Sequence, residues 1–577
     1  MSARWTSRTS ASCPIRSLVN TPRSSRLQHE NLSRPAVHRT PWTLDVLCAA
    51  GARSDRRGHR GLCRILHHRC GLRARHWSAC CVRPAGVLGA GGSHRRNAAA
   101  SLEVRQGFPM QEFLEKADLV VVGGGLAGLI TALKAAEAKH RVVVLEKGSD
   151  QSYLCNSRLT SGVFHCCRKD VRSPGAELSA AVADALDPKA SDALAEAVAA
   201  NAYAAVKWLQ QRGIRFVRGN PAYSYQTFVL APPNIAQMGR AWQGRGGDVL
   251  LRSLEQQLLK NGGKLLRGHE VTELLAQGKV HGVKGVLQDG QVFAFEAAAV
   301  VLADGGFQAD PEALRAVTPS PERMVQRNAR TGLGSALRMA RAVGAEITDL
   351  QSFYGHVQSR KALENDQLWP YPWLDEILKH FIVVGKDGRR FTDEGQGGIT
   401  VANHIARRQD PADVAVILDQ AGWETAGRNG MLPPNPSLEQ IEGAIIKAST
   451  IDELAQKVGI DSAGLQEEVA AYNAAIAGSS LHALAPARSD PGAARPIASA
   501  PFYALPAAPG ITYTMGGPLV DENGRVMSTS GEPIEGLYAV GSAGGGIEGS
   551  ANVGYVGGLI KAAVTGLCAA EHFNRHR

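Results

Sequence analysis

The alternation of apolar and polar positions is clearest around residue 120. Residues 119–122 are a short β-branched run, and residues 126–138, after a glycine cluster, are small and mostly helix-forming. A second apolar run occupies residues 141–145. Short β-branched runs favour strands, whereas unbranched residues favour helix. The pattern therefore predicts a strand, a turn, a helix and a second strand within about 30 residues.

Two later segments repeat the strand pattern. Residues 298–302 are an apolar run that ends in Ala-Asp-Gly-Gly, and residues 536–541 are another that enters a glycine-rich loop before a helix predicted at about 557–573. Between them, residues 351–504 are first rich in proline and aromatic residues and then polar and helical. The predicted fold class is α/β, with a Rossmann-like domain made of two chain segments and an inserted α+β cap. The predicted divisions are an extension at 1–109, the first nucleotide-binding segment at 110–350, the cap at 351–504 and the second nucleotide-binding segment at 505–577.

Gly123, Gly125 and Gly128 form a G-x-G-x-x-G sequence at the first predicted turn. In such a turn the first glycine permits the tight bend, the second lets the backbone approach a pyrophosphate, and the third lets helix and strand pack closely. The start of the next helix offers free N–H groups and the positive end of a dipole. Glu146, at the end of the second strand, is placed to accept ribose hydroxyls. The segment therefore predicts dinucleotide binding.

Charge is distributed unevenly along the 577 residues, whose formal net charge is +11. Residues 1–109 contain 19 Arg, no Lys and four acids, so they carry +15 and the remaining 468 residues carry −4. A body this close to neutral is not expected to bind nucleic acid. No run of 18 apolar residues predicts a membrane span. Only four of the ten Cys lie after residue 109, which favours a reducing, cytoplasmic location over a disulfide framework.

Residues 1–109 admit three interpretations. Residues 1–28 contain five Arg, seven Ser and no acid, a composition typical of a mitochondrial transit peptide. The bias toward Arg without Lys continues far beyond the length of a transit peptide. The second interpretation is therefore that GC-rich DNA upstream of a true start at Met110 has been translated. The third interpretation is a disordered arm. A zinc site at Cys63, His67, His68 and Cys70 is not expected, because the spacing fits no standard finger.

From about residue 117 to 573 the chain resembles the flavoprotein family of fumarate reductase and succinate dehydrogenase, which includes 3-ketosteroid and tricarballylate dehydrogenases. The resemblance rests on ordered landmarks: Val122-Gly-Gly-Gly-Leu-Ala-Gly128, Leu145-Glu-Lys147, Val301-Leu-Ala-Asp-Gly-Gly-Phe307, Thr331-Gly-Leu-Gly334, Gly388-Arg-Arg-Phe-Thr-Asp-Glu394, Thr514-Met-Gly-Gly517 and Gly536-Leu-Tyr-Ala539. It implies FAD as the dinucleotide and a mobile cap that closes over the isoalloxazine ring.

The resemblance also implies which residues bind FAD. These are Gly123, Gly125, Leu126, Ala127, Gly128, Glu146, Lys147, Asn156, Ser161, Gly162, Val271, Asp304, Gly305, Gly541, Ser542, Gly557, Gly558 and Leu559. FAD is expected to be held without a covalent bond, because residues 154–157 lack the His that covalently flavinylated members carry. Ser542 stands where the family commonly has a Glu that bonds the ribityl chain.

His356, Tyr513 and Tyr555 are the candidate catalytic residues that the resemblance implies. Tyr513 replaces a family His, and Tyr555 replaces the Arg that grips a dicarboxylate. Gly395-Gln-Gly-Gly398 stands where the family has a Thr-Arg-Asp triplet whose Arg donates a proton. The loss of both Arg disfavours fumarate reduction. Each candidate also has a structural interpretation: His356 as a core His with its hydrogen bonds satisfied, and the two tyrosines as aromatic walls of a pocket. Tyr354 is expected to serve packing alone.

The predicted function is an FAD-dependent oxidoreductase acting on a CH–CH bond next to a carbonyl or carboxylate, in either direction. The first alternative is a fumarate-reductase-type enzyme for another unsaturated acid. The alternative from a different class is a flavin-binding scaffold or sensor without turnover. The expected partners are a small carbonyl- or carboxylate-bearing substrate and a separate electron donor or acceptor, and no metal is expected.

Overall fold

The computed structural model describes residues 113–235, 239–550 and 552–577. The predictions made for residues 1–109 and for a start at Met110 lie outside these residues, as does the cluster at Cys63. The helices and strands that follow are those of the described part of the chain.

The strands belong to three sheets. The eight strands of the largest sheet are β1 (Phe113–Val122), β2 (Val142–Glu146), β6 (Lys264–Arg267), β7 (His269–Gln277), β8 (Lys279–Leu287), β9 (Val292–Leu302), β16 (Arg525–Met527) and β17 (Pro533–Ala539). The six of the second are β10 (Val325–Gln326), β11 (Phe353–Ser359), β12 (Ile382–Val384), β13 (Val414–Asp419), β14 (Ile446–Ala448) and β15 (Phe502–Thr514). The three of the smallest are β3 (Val163–Phe164), β4 (Phe216–Val217) and β5 (Phe228–Leu230).

The α-helices connect and cover these sheets. They are α1 (Leu126–Glu137), α2 (Asn156–Leu159), α3 (Gly175–Ala183), α4 (Asp192–Gln211), α5 (Gly246–Lys260), α6 (Ser335–Ala342), α7 (Asp375–Leu378), α8 (Gly398–Ala406), α9 (Gln420–Glu424), α10 (Pro434–Ser437), α11 (Ile451–Val458), α12 (Ser462–Ala477) and α13 (Gly558–Arg575).

The predicted strand–turn–helix–strand unit is confirmed as β1, α1 and β2. β1 runs parallel to both β2 and β9, and β17 runs parallel to β9 on the far side. Successive side chains of β1 point to opposite faces, so Leu119 and Val121 pack in one core and Val120 and Val122 in another. Burial on both faces is typical of parallel sheets and explains the continuous apolar run. The carboxyl ends of the four strands therefore meet at one edge.

α1 and α13 pack closely on one face of this sheet. A Cβ on Gly566 would lie 2.8 Å from the Ala127 carbonyl oxygen, and the Thr131 hydroxyl donates to the Gly566 carbonyl oxygen at 3.1 Å. The contact joins the first helix after residue 113 to the last one. It brings the glycine-rich segment before α13 beside the turn before α1.

The second sheet is organised around the long strand β15, which pairs with β10, β11, β13 and β14. β15 begins in the segment predicted as the cap and ends in the second nucleotide-binding segment, so the domain division remains a prediction. Tyr354 pairs with Tyr513, but Gly355 pairs with Ile511. Thr512 is thus an extra residue in β15, a β-bulge that redirects the side chains beside it.

Within the residues that the structure describes, no helix is long and apolar enough to cross a bilayer. The same residues contain no cluster of three or more His, Cys, Asp or Glu side chains arranged to hold a metal ion.

Candidate active site

A cavity of about 630 Å³ opens at the carboxyl edge of the large sheet and extends to side chains of the second sheet. It is within the size range of small-molecule and cofactor sites. Of the predicted site residues, all line it except Gly128, Gly162 and Gly557. Residues from the two predicted nucleotide-binding segments and from the predicted cap therefore share one cavity.

The glycine turn, residues 122–128, forms one part of the wall. Gly123 has a φ of +105°, and a Cβ there would lie 2.7 Å from the Ala303 carbonyl oxygen. A Cβ on Gly128 would lie 2.1 Å from the Gly123 carbonyl oxygen, whereas a Cβ on Gly125 would meet nothing closer than the Ser157 hydroxyl at 3.6 Å. Gly123 and Gly128 thus serve the chain's own packing, and the free space beside Gly125 faces the cavity.

The start of α1 is open to a ligand. Its N-cap Gly125 supplies no side-chain cap, the first turn contains no acid, and the Leu126 amide donates to the Ser157 hydroxyl at 3.1 Å. Helix N-termini leave N–H groups without intrahelical partners and carry a partial positive charge. The arrangement suits a pyrophosphate.

Acidic groups near the turn are held by backbone N–H donors. The Glu146 carboxylate accepts from the Gly124 and Gly148 amides, each at 2.8 Å, and burial raises its pKa. Lys147 Nζ donates to the Thr331 carbonyl oxygen at 2.5 Å. Asp304 Oδ2 accepts from the Ala336 amide, while its Oδ1 is buried without a partner among the described residues, and burial raises the pKa of Asp304 to about 6.

Asn156 links the loop after β2 to the second sheet. Its amide donates to the Thr512 carbonyl oxygen at 3.0 Å and its carbonyl accepts from the Ala329 amide at 2.8 Å. Of the remaining predicted cofactor residues, Ser161, Val271, Gly305, Gly541, Ser542, Gly558 and Leu559 line the cavity. Gly162 instead accepts from the Leu230 amide, which ties the loop to β5.

These features fit FAD. The start of α1, the unpartnered Asp304 oxygen and the space beside Gly125 lie along one wall of the cavity. The chain's own hydrogen bonds leave this wall able to accept a dinucleotide.

The aromatic cluster, defined here as Tyr354, His356, Trp373, Tyr513 and Tyr555, lines another part of the cavity. The rings of Tyr354 and Tyr555 are stacked, 4.0 Å apart and 8° from parallel. Tyr513 lies 5.3 Å from Tyr354 across the strand pair, and Trp373 stacks on His356 at 4.0 Å. Segments far apart in sequence thus supply one mixed aromatic and polar surface.

His356 is buried between two oxygen partners. Its Nδ1 lies 2.5 Å from Asp375 Oδ2, and its Nε2 lies 3.1 Å from the Tyr354 hydroxyl. Burial lowers the pKa of His356 to about 4, so the ring is neutral at neutral pH. A carboxylate can only accept, so the single ring proton is on Nδ1 and Nε2 accepts from Tyr354.

His165 has the opposite tautomer. Its Nδ1 accepts from the Arg168 amide at 3.1 Å, and its Nε2 lies 3.5 Å from the Tyr555 hydroxyl. Burial lowers the pKa of His165 to about 3, so this ring is also neutral. Its proton is therefore on Nε2 and points at the Tyr555 oxygen. The Tyr555 hydroxyl is also hydrogen-bonded to Tyr354.

Glu548 fixes the hydrogen bond of Tyr513, the third tyrosine of the aromatic cluster. Its carboxylate accepts from the Tyr513 hydroxyl at 3.0 Å, from the Val556 and Gly557 amides at 2.9 and 3.2 Å, and from buried Lys561 at 2.5 Å. Burial and the Glu548 charge raise the pKa of Tyr513 well above its usual value. Tyr513 is therefore a poor base, and its proton is committed to Glu548.

Gly557, one of the residues predicted to bind FAD, directs its N–H at Glu548 and does not line the cavity. Gly558 does line it. The predicted roles of both glycines stay predictions.

Arg327 is a buried cation that the sequence reasoning missed. It is 6% exposed and lines the cavity, and it donates to the Thr512 hydroxyl at 2.9 Å and the Pro370 carbonyl oxygen at 3.2 Å. Its Nε is buried without a partner, and no carboxylate of the described residues forms an ion pair with it. Burial lowers its pKa accordingly.

Sequence signals existed for some of the missed residues. Glu548 is the only charged residue from Gly541 to Ile560, so it stood out within a glycine-rich stretch. No comparable feature of the sequence marked Arg327 or Asp375, or indicated that His165 donates its Nε2 proton. Tyr354, expected to serve packing alone, has its hydroxyl bonded to His356 and lines the cavity.

The chain is similar in sequence or in fold to several known proteins. Urocanate reductase of Eggerthella lenta is 27% identical over 74% of this chain and 70% of its own length. NADH:acrylate oxidoreductase of Vibrio harveyi is 28% identical over 61% of this chain, which spans only 34% of that protein. The solved 3-ketosteroid-Δ4-(5α)-dehydrogenase of Rhodococcus jostii RHA1 shares the fold, with a TM-score of 0.61, 23% identity and coverage of 81% of this chain and 98% of that one.

The family model described as an FAD binding domain matches residues 118–554, most of the chain. This match agrees with the glycine turn and with the wall that suits a dinucleotide. The chain belongs to the family of FAD-binding domains, and FAD is its cofactor.

Proposed function

We propose that this protein is an FAD-dependent oxidoreductase that acts on a CH–CH bond next to a carbonyl or carboxylate group. The observation that carries the proposal is a single cavity that joins the glycine turn to a cluster of tyrosine and histidine hydrogen-bonding groups. Two relatives, a urocanate reductase and an NADH:acrylate oxidoreductase, have names that concern the same bond type.

Bound FAD supplies the acceptor or donor of a hydride. The chain's own task is to orient the substrate and to stabilise charge on its carbonyl oxygen. Tyr555 suits this task, because it lines the cavity and burial raises its pKa well above the usual value. It therefore stays protonated and donates to a developing enolate.

The cofactor is proposed to be held non-covalently by the predicted FAD-binding residues that line the cavity, with the pyrophosphate at Gly125 and the start of α1. The loop at Leu154, Cys155 and Asn156 contains no His for a covalent bond. We also propose a cytoplasmic location, on the basis of the Cys distribution alone.

A specific observation favours a second candidate, the reduction of an unsaturated acid. Arg327 is a buried cation that forms no ion pair with a carboxylate among the described residues, although the Asp375 charge acts on it. A buried charge without a close partner is costly. A substrate carboxylate beside it would provide the missing partner. In this candidate the reaction runs from alkene to alkane and the electron donor is a separate partner.

An anaerobic half-reaction experiment tests both candidates. Saturated carbonyl compounds that bleach the oxidised flavin indicate dehydrogenation, and unsaturated acids that reoxidise the dithionite-reduced flavin indicate reduction. If both panels leave the flavin spectrum unchanged, the oxidoreductase proposal fails and a non-catalytic flavin-binding role takes its place.

A further inference from the structure

The residues after β3 form a tight two-residue turn beside the cavity. The Cys166 amide donates to the Lys169 carbonyl oxygen at 3.1 Å, and the Lys169 amide donates back to the Cys166 carbonyl oxygen at 2.8 Å. Cys167 and Arg168, between them, have φ angles of +50° and +57°. Positive φ at both central residues is the pattern of a type I′ turn, which favours Asn-Gly and disfavours longer side chains. The chain therefore carries a long cationic side chain at a position that does not favour one.

Hydrogen bonds hold this turn against the aromatic cluster. The Cys167 amide donates to the Val556 carbonyl oxygen at 2.7 Å, and the Arg168 amide donates to His165 Nδ1 at 3.1 Å. Val556 follows Tyr555 in the chain, and His165 Nε2 lies 3.5 Å from the Tyr555 hydroxyl. The backbone of Arg168 is therefore fixed relative to Tyr555.

Arg168 has no acidic partner among the described residues. The neighbouring cations do have one, because Lys169 Nζ pairs with Glu177 at 2.8 Å and Arg172 pairs with Asp170 at 2.7 Å. Arg168 is exposed and lines the cavity. Its guanidinium group is therefore available to a ligand in the cavity.

Arg168 and Arg327 approach the aromatic cluster from different sheets. Burial lowers the pKa of His356 to about 4, and the charges of both arginines act in the same direction. Arg327 follows β10 of the second sheet and is buried, whereas Arg168 follows β3 of the smallest sheet and is exposed. A ligand that contacts both would extend from the buried part of the cavity toward solvent.

Aromatic rings surround the exposed end of the cavity. The Tyr225 ring lies 5.4 Å from the His165 ring and 5.7 Å from the Tyr223 ring, and all three residues line the cavity. Stacked and edge-to-face contacts with such rings favour flat, unsaturated groups. A flat group that carries an acid would match both the rings and the Arg168 charge.

We propose that Arg168 is a specificity-determining residue that binds a second acidic group of the substrate, a carboxylate carried on a flat group at the end away from the reacting bond. The inference rests on the proposed function and names a feature of its substrate. Arginine can bind a carboxylate through two parallel hydrogen bonds, which select for geometry as well as charge.

Two probes that differ by one carboxylate, cinnamate and 4-carboxycinnamate, test the inference. Binding to the holoenzyme is followed by the change in oxidised-flavin absorbance, which needs no turnover. We expect wild-type protein to bind 4-carboxycinnamate about fivefold more tightly than cinnamate, the scale of an ion pair that is open to solvent. Added salt is expected to narrow this preference, because exposed charges are screened.

Two neighbouring cations supply matched variants. Arg168→Met removes the charge that lines the cavity, and we expect it to abolish the preference, whereas Arg168→Lys is expected to retain part of it. Lys169→Met removes a cation of the same turn that pairs with Glu177 and does not line the cavity, so the preference is expected to remain. The salt dependence of wild-type protein covers the case in which Arg168→Met does not fold.

Reoxidation of the dithionite-reduced flavin separates a binding role from a structural one. The second carboxylate is expected to be bound equally in the ground state and the transition state, so Arg168→Met should raise KM for 4-carboxycinnamate with kcat little changed. A fall in kcat for both probes with equal KM values would overturn the inference.

Equal affinity of wild-type protein for the two probes would also overturn the inference, and so would an equal loss of preference in Arg168→Met and Lys169→Met. Both results leave the proposed function intact if any unsaturated acid reoxidises the flavin. Silent panels together with a preference that depends on Arg168 would remove the proposed function and keep Arg168 as a carboxylate-binding residue of the cavity. If neither probe changed the flavin spectrum of wild-type protein, the inference would fail.

Discussion

At the glycine turn the backbone of one short segment shapes the cavity wall, whereas at the aromatic cluster side chains from distant strands and loops meet. The turn works through φ angles and close approaches, such as the +105° of Gly123. The cluster works through proton direction, set by His165, His356 and Glu548. The comparison indicates that the shape of the cofactor part of the cavity depends on backbone conformation, whereas the chemistry of the aromatic cluster depends on the direction of its hydrogen bonds.

The largest expected effect, loss of the cofactor, separates two roles within the glycine turn. Gly128→Ala places a Cβ 2.1 Å from the Gly123 carbonyl oxygen, so the turn must shift, and overpacking of this kind costs about 1–3 kcal/mol or more. Gly125→Ala meets nothing closer than 3.6 Å. We expect Gly128→Ala to lose both FAD and thermal stability, and Gly125→Ala to lose FAD while its apoprotein stays folded.

FAD content by absorbance and apoprotein melting temperature check this pair. Normal FAD content in Gly125→Ala would show that the space beside Gly125 does not face the pyrophosphate. Normal melting of Gly128→Ala would show that α1 can move away from β1.

The same contrast decides what the sequence could predict. The turn and the elements around it are local, and their pattern follows from residues 119–146 alone, so their order and the bounds of α1 and β2 were predicted to within a residue. β1 begins at Phe113, before the predicted run at 119–122. The aromatic cluster depends on the β-bulge at Thr512, which sets Tyr354 beside Tyr513, and no local pattern marks that extra residue. The proton direction of Tyr354 depends on Asp375, whose contact with His356 is a product of tertiary packing.

The next effect concerns the buried ion pair beneath the aromatic cluster. Glu548 and Lys561 are each about 1% exposed, and removing one partner of a buried pair costs roughly 3–5 kcal/mol because the other charge stays buried. We expect Glu548→Gln to lower the free energy of unfolding on this scale. Urea denaturation measures the change.

The exposed pair of Lys116 and Glu296 supplies the control. Glu296→Gln is expected to cost no more than about 1 kcal/mol, the usual limit for a surface pair. Equal losses in the two variants would mean that water reaches Glu548.

A third effect tests whether the Tyr555 hydroxyl donates a hydrogen bond to the substrate. Tyr555→Phe keeps the stack on Tyr354 but removes the hydroxyl, and one oxyanion donor is worth ~2.7–4 kcal/mol. We expect the rate of flavin reduction by substrate to fall about 100-fold or more, with substrate affinity little changed. Stopped-flow absorbance of the flavin measures both, and an unchanged rate would reduce Tyr555 to a wall of the cavity.

The smallest expected effect is a difference in pH response between the two parts of the cavity, measured in protein freed of FAD. Burial lowers the pKa of His165 to about 3, so between its unfolded value near 6.5 and pH 3 the unfolded state binds a proton that the native state does not. Stability is therefore lost as pH falls, by up to about 1.4 kcal/mol per pH unit. Asp304 has the opposite sign, because burial raises its pKa to about 6 and the native state takes up its proton first. We expect His165→Asn to flatten the acid loss seen by urea denaturation between about pH 6 and 4, and Asp304→Asn to steepen it. If both substitutions changed the slope of stability against pH in the same direction, the two parts of the cavity would not differ in their response to pH. The contrast between the glycine turn and the aromatic cluster would then hold for their geometry alone.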